Sequence, residues 1–122
     1  MATRGIRGAT TVEDNGRDEI LTATRELLEV IVRLNGLRPE DIAYAWFSVT
    51  SDLDAEFPAL AARELGWAEV PLMCGREIPV PGAMPRCIRV LIAWNTGKSQ
   101  RDVRHAFLHR AKELRPAWAV EV

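Results

Sequence analysis

With 122 residues, 48% of them hydrophobic and 27% charged, the chain has the composition of one globular domain and too little length for two. Its net charge of -1 hides a split: residues 10–69 hold 13 acids against 5 bases, and residues 84–115 hold 8 bases against 2 acids. No apolar run approaches the ~20 residues of a membrane span, no signal-peptide core follows Met1, and the overall balance gives no argument for nucleic acid, so membrane and nucleic-acid partners drop out.

Arg4 to Ala9 reads as a short strand ending at Thr10-Thr11. A helix is expected from about Arg17 to Asn35, because Ile20, Thr24, Leu27, Leu28, Ile31 and Leu34 recur at spacings of three and four. Asp18 and Glu19 suit its first turn, and Gly36 suits its C-terminal cap. Pro39-Glu40-Asp41 reads as one helical turn, and Ile42 to Thr50, rich in β-branched and aromatic residues, as a buried strand. Pro58 opens a short helix that runs to about Leu65, with Gly66 as its stop. A brief strand is expected over Ala68 to Met73. Gly75 to Pro85, with three prolines and Gly82 inside it, reads as a structured loop. Arg86 to Asn95 carries the strongest strand pattern. Ser99 and Asp102 resemble a capping box for a last helix from about Gln100 to Leu114, with Val103, Phe107, Ala111 and Leu114 on its inner face and Pro116 as its end.

This order implies an α/β (α+β) fold: a mixed sheet with helices on one side, spanning residues 1–116, followed by a tail over 117–122. Strands in so short a chain leave edges and apolar surface to cover, which favours an oligomer. Cys74 and Cys87 form neither a disulfide framework nor a zinc pattern, and the setting expected is a reducing cytoplasm.

Arg89 is the informative anomaly. It interrupts the apolar run Cys87-Ile88-Arg89-Val90-Leu91-Ile92-Ala93-Trp94. A guanidinium in such a strand cannot deprotonate, so it needs a carboxylate, either an internal one such as Glu77 or one on a ligand. Arg7 poses a weaker form of the same question between Gly5 and Gly8, and an edge-strand arginine in solvent is its plainer reading. Taken singly, Glu77 reads as a solvated loop residue, Arg63 and Arg115 as cations near helix ends, and Cys74 as a small buried hydrophobe. His105 and His109 fall four apart on the expected last helix, with no third metal ligand apparent. No Ser–His–Asp set, glycine-rich phosphate loop or metal cluster is recognisable, so no cofactor and no metal are expected. Arginines plus a glutamate suit the binding of a compact dianion and the stabilisation of developing negative charge.

The segment Arg4-Gly5-Ile6-Arg7-Gly8-Ala9-Thr10-Thr11-Val12-Glu13 resembles the start of the monofunctional, trimeric chorismate mutases of the bacillus type. The likeness continues through Thr50-Ser51-Asp52-Leu53, Phe57-Pro58-Ala59, Ala62-Arg63-Glu64-Leu65, Val70-Pro71, Cys87-Ile88-Arg89-Val90, Val103-Arg104-His105 and Leu114-Arg115-Pro116. It spans roughly residues 3 to 116, with the motifs in order. It implies a trimeric pseudo-barrel with sites at subunit interfaces and the rearrangement of chorismate to prephenate in phenylalanine and tyrosine biosynthesis. It also implies residue roles. Arg89 would meet the ether oxygen and a carboxylate, Arg7 a carboxylate, and Glu77 the ring hydroxyl, with Cys74 beside it. Leu72, Met73 and Leu114 would be wall positions. Phe57, Ala59 and Arg63 would reach in from the neighbouring subunit, and Arg115 would lie near the C-terminal segment. Two positions depart: Leu60 stands where some relatives carry a lysine, and Phe107 where a tyrosine is common. The lost charge weakens capture, and the lost hydroxyl costs about 0.5–1.5 kcal/mol, so activity is expected with a raised KM. A non-catalytic carboxylate-binding regulatory module and a trimeric imine deaminase of related fold are the alternatives.

Overall fold

In the computed structural model, which describes residues 1–122, β1 (Ala2–Thr11) leads through α1 (Arg17–Asn35) to β2 (Ile42–Val49). α2 (Ala59–Glu64), β3 (Leu72–Arg76), β4 (Cys87–Thr96) and the two-residue β5 (Ala106–Phe107) follow. The strands form one mixed sheet in the order β3-β2-β4-β1-β5. Its central strand is the most apolar one: β4 runs antiparallel to β1 and to β2, while the outer pairs β2–β3 and β1–β5 are parallel.

Strand alternation divides the sheet into two unlike faces. Ile6, Ala45, Phe47, Ile88, Val90 and Ile92 lie on the helix-covered face and are buried. The stripe of α1, led by Ile20, Leu27, Leu28 and Ile31, closes over them, and α2 packs against α1 beside it. Gly36 ends α1 at φ +66°, its amide donating to the Val32 carbonyl at 2.9 Å, as the cap position demands. The opposite face carries Arg7, Trp46, Ser48, Arg89 and Leu91, and no element of the chain covers Trp46 or Leu91.

Gly8 sets how closely α1 seats on β1. A Cβ there would lie 2.7 Å from Ile31 Cδ1, with Val90 Cγ1 and Leu27 Cδ1 at 3.1 and 3.2 Å. Gly8→Ala is therefore expected to cost about 1–3 kcal/mol, read from urea unfolding. Unchanged stability would mean that the helix can yield.

The turn Thr50-Ser51-Asp52 pins the start of β4. Arg86, held at φ +49°, donates its amide to both Asp52 carboxylate oxygens at 3.0 and 3.2 Å. The Thr50 hydroxyl donates to Asp52 and accepts the Cys87 amide at 3.0 Å. Burial pushes the Asp52 carboxyl up, but the Thr50 hydroxyl, the amides of Arg86 and of Asp52 itself, and the Arg86 charge outweigh it and hold the group below its ordinary 3.8. A depressed carboxyl contributes stability above its unfolded value and loses it as pH falls through the lower folded value. Acid unfolding should thus steepen below about pH 4, and Asp52→Asn should flatten that limb. A superimposable acid limb for the variant would contradict the pinning role.

The last third departs from the expected helix over Gln100 to Leu114. Gln100–Asp102 and His109–Glu113 are separate 3-10 turns, with β5 between them. The cause is the outer edge of β1, whose backbone groups need partners. The Gln100 side-chain amide pairs with both the amide and the carbonyl of Gly5, at 2.9 and 2.7 Å. The Arg7 amide donates to His105 Nδ1 at 2.9 Å, and the Leu108 amide donates to the Ala9 carbonyl at 2.9 Å. On the other side the Asn35 amide pairs with both the amide and the carbonyl of Arg104, at 2.9 Å each. Those bonds hold residues 103–108 extended, so Phe107 is a strand residue and not part of a helix face.

Two smaller boundaries also differ. β3 begins at Leu72 instead of Ala68, because Trp67–Val70 closes a turn. Residues 117–120, read as the start of a tail, continue a 3-10 turn at Pro116–Trp118 and then pair with β5: the Val120 amide donates to the Phe107 carbonyl at 3.0 Å.

Candidate active site

Three strand positions and the residue that follows β3 bring these polar side chains together on the uncovered face. Arg7 lies on β1, Ser48 on β2, Arg89 on β4, and Glu77 directly after β3. The register pairs Ser48 with Arg89 and Ala9 with Arg89, which places Arg7 one same-face position away. These side chains, with Trp46 and Leu91, line a cleft of about 250 Å³.

The sequence leaves Arg89 between an internal ion pair and a ligand, and the geometry has something of both. Arg89 Nε stands 3.6 Å from Glu77 Oε2, close enough for attraction and too far for a hydrogen bond. Nε is buried and has no acceptor. Glu77 instead takes its hydrogen bond from the Ser48 hydroxyl. Ser48 escapes notice in the sequence, although its place on the same strand face as Trp46 was readable by counting in twos. The guanidinium is thus oriented beside a fixed carboxylate while keeping a donor free. Desolvation, then the like charges of Arg115 and Arg89, push the Arg7 guanidinium below its ordinary value, and Glu77 opposes them.

The C-terminal residues flank this cleft. Phe107 is buried against Ala9, Cys87 and Ala111, with Leu114 packed beside them. The Arg115 guanidinium lies 3.6 Å from the centre of the Trp118 ring. His105 and His109 share no helix face: His105 is half-buried beside Trp118, while His109 Nε2 meets Glu26 Oε1 at 2.7 Å. Burial, followed by the Arg7 and Arg115 charges, pushes His105 down and so favours its neutral ring.

The other expected site residues lie elsewhere. Cys74 pairs with Phe47 and so points to the helix side, away from Glu77. It shares a second cleft, of about 500 Å³, with Phe57, Pro58, Glu56 and Arg76. Burial pushes its thiol up, against the Ala59 amide and the Arg63 charge that lie nearby. Ala59 is buried in the first turn of α2, Leu60 is half-buried, and Arg63 is exposed in the last turn. Leu72 packs against the main core, and Met73 is exposed on the uncovered face opposite Trp46. Each cleft holds three charged residues: Asp54, Glu56 and Arg76 in the larger, and Arg7, Glu77 and Arg89 in the smaller. One chain therefore carries two separated groups: Arg7, Glu77 and Arg89 in one cleft, and Phe57, Cys74 and the α2 residues around another.

Comparison with known proteins matches this arrangement to one family. The family model described as chorismate mutase type I matches residues 3–118. The chain is 52% identical over 114 residues to the chorismate mutase AroH of Thermus thermophilus, which covers 93% of each chain. It is 47% identical over 117 residues to the AroH of Bacillus subtilis, covering 95% of this chain and 92% of that one. A solved chorismate mutase from Clostridium thermocellum superposes with a TM-score of 0.88 at 50% identity, covering 89% of this chain and 97% of that one. By likeness along nearly all its length and by the shape of its sheet, the chain belongs to the type I chorismate mutase family.

Proposed function

We propose that this protein catalyses the intramolecular rearrangement of chorismate to prephenate, as a homotrimer whose sites form between subunits. Residues 1–116 are the single catalytic domain and 117–122 its terminal segment. The observation that carries the reading is the Arg89 guanidinium, which is buried at Nε without an acceptor and set 3.6 Å from Glu77 on the face that also holds Arg7.

Chorismate is a small dianion with an ether oxygen and a ring hydroxyl. Its rearrangement breaks the ether C–O bond as a new C–C bond forms, and it needs no proton transfer and no nucleophile. Negative charge grows on the ether oxygen as that bond stretches. A cation fixed there stabilises the transition state more than the ground state, and it needs no reorganisation at the moment of reaction. Arg89 supplies that cation, with a planar fork that also reaches a carboxylate. Glu77, oriented by Ser48, accepts the ring hydroxyl. Arg7, joined by Arg115, takes a carboxylate and holds the compact conformer in which the reacting carbons meet.

The two clefts support the trimer. The Arg89 cleft of one chain lacks the walls that Phe57, Ala59 and Arg63 provide in the expected site, and Phe57 lines a different cleft of the same chain. A neighbouring subunit brings them together. It also covers Tyr44, Trp46, Met73 and Leu91, each 43–59% exposed on one sheet face. Adding chorismate and following the loss of its absorbance, with prephenate identified among the products, tests the function. Saturable binding without turnover would instead mark a carboxylate-binding module.

A further inference from the structure

We propose that Trp118 is a positioning residue for the two carboxylate-binding arginines, seating Arg115 on its indole face and bracketing Arg7 together with Phe107; the assignment rests on the chorismate reading above. The distances define the bracket. The Arg115 guanidinium carbon lies 3.6 Å from the Trp118 ring centre. The Arg7 guanidinium carbon lies 5.4 Å from that ring and 5.7 Å from the ring of Phe107. The two rings meet edge-on at 5.7 Å.

Two guanidinium groups at one end of a cleft repel each other. The electron-rich faces of aromatic rings offset that repulsion while leaving the N–H forks free for carboxylates. Trp118 also lies 4.0 Å from the ring of His105, whose Nδ1 accepts the Arg7 amide, so it is packed on the residue that fixes the Arg7 backbone. The indole is itself held from the main chain. The Trp118 amide donates to the Arg115 carbonyl at 2.9 Å, and two residues later the Val120 amide donates to the Phe107 carbonyl at 3.0 Å. Those bonds do not involve the indole, and apolar bulk at this position keeps the packing on Ala9, Cys87, Phe107 and Ala111. In this chain Phe107 acts through its face on Arg7, which gives the ring a role that needs no hydroxyl.

Steady-state kinetics with chorismate on Trp118→Leu and Trp118→Phe test the proposal. Leu keeps the apolar bulk without the π face and should raise KM about tenfold while leaving kcat within about twofold. Phe should restore most of the loss. A merely structural role would lower the thermal midpoint and affect Leu and Phe alike. A wild-type KM in Trp118→Leu, or equal KM values in the two variants, would overturn the proposal. If Trp118→Leu does not fold, Trp118→Met takes its place: it also lacks a π face and should show the same rise in KM, and a wild-type KM there would overturn the proposal. Absence of chorismate turnover by the wild type would instead defeat the reading on which the proposal rests.

Discussion

Arg89→Ala is expected to lower kcat about 100–1,000-fold or more while the protein stays folded. The size follows from the role. Removing one preorganised donor aimed at developing charge costs about 2.7–4 kcal/mol of transition-state stabilisation, and the proposed role puts Arg89 at the atom where the charge grows. Folding should survive, because Arg89 stands on the uncovered face, and its neighbours across β4, Ile88 and Val90, keep their core contacts. Its ion pair with Glu77 at 3.6 Å, with each side chain about 30% exposed, contributes little to stability. Arg89→Lys should rescue little of the loss, since a point charge cannot reproduce the fork that meets both the ether oxygen and a carboxylate. Circular dichroism together with chorismate consumption checks both variants. Full activity in folded Arg89→Ala would remove this residue from the mechanism.

The elements readable from the sequence are those whose pattern reflects burial. α1 follows from a stripe at spacings of three and four, and β2 and β4 follow from β-branched runs, because those faces meet the main core directly. The last third misleads for a physical reason. Val103, Phe107 and Ala111 fall at helical spacing, yet the Gln100 amide and the His105 ring bond to the backbone of β1, and the Asn35 amide of α1 bonds to the Arg104 backbone, which together hold residues 103–108 extended. Such long-range pairing leaves no local periodicity. The site divides in the same way. Arg89 stands out because a charge in an apolar strand is costly, whereas Ser48 and Trp118 carry no such mark and become visible only beside Glu77 and Arg115. Glu77 is readable as a carboxylate for Arg89, but only likeness to a family gives Phe57 and Arg63 a role in the site, and it places Cys74 beside Glu77, whereas within one chain strand alternation turns Cys74 to the other face.

That separation leads to the second large effect. If each site takes Arg7, Glu77 and Arg89 from one subunit and the α2 cleft from its neighbour, damage to either half inactivates the site, and halves from different chains complement. Arg89→Ala removes the first half's charge. The double variant Phe57→Ala with Arg63→Ala removes the wall and the cation of the second half, with an expected loss of about 100-fold or more in kcat/KM. Neither change touches the other cleft. In a closed ring assembled from equal parts of the two variants, about one site in four joins two intact halves. The decisive measurement is therefore chorismate turnover after the two inactive variants are unfolded together, mixed and refolded. Recovery to about a quarter of the wild-type rate is expected for sites shared between subunits. A mixture no more active than the average of its two parents would show that each chain holds a complete site of its own.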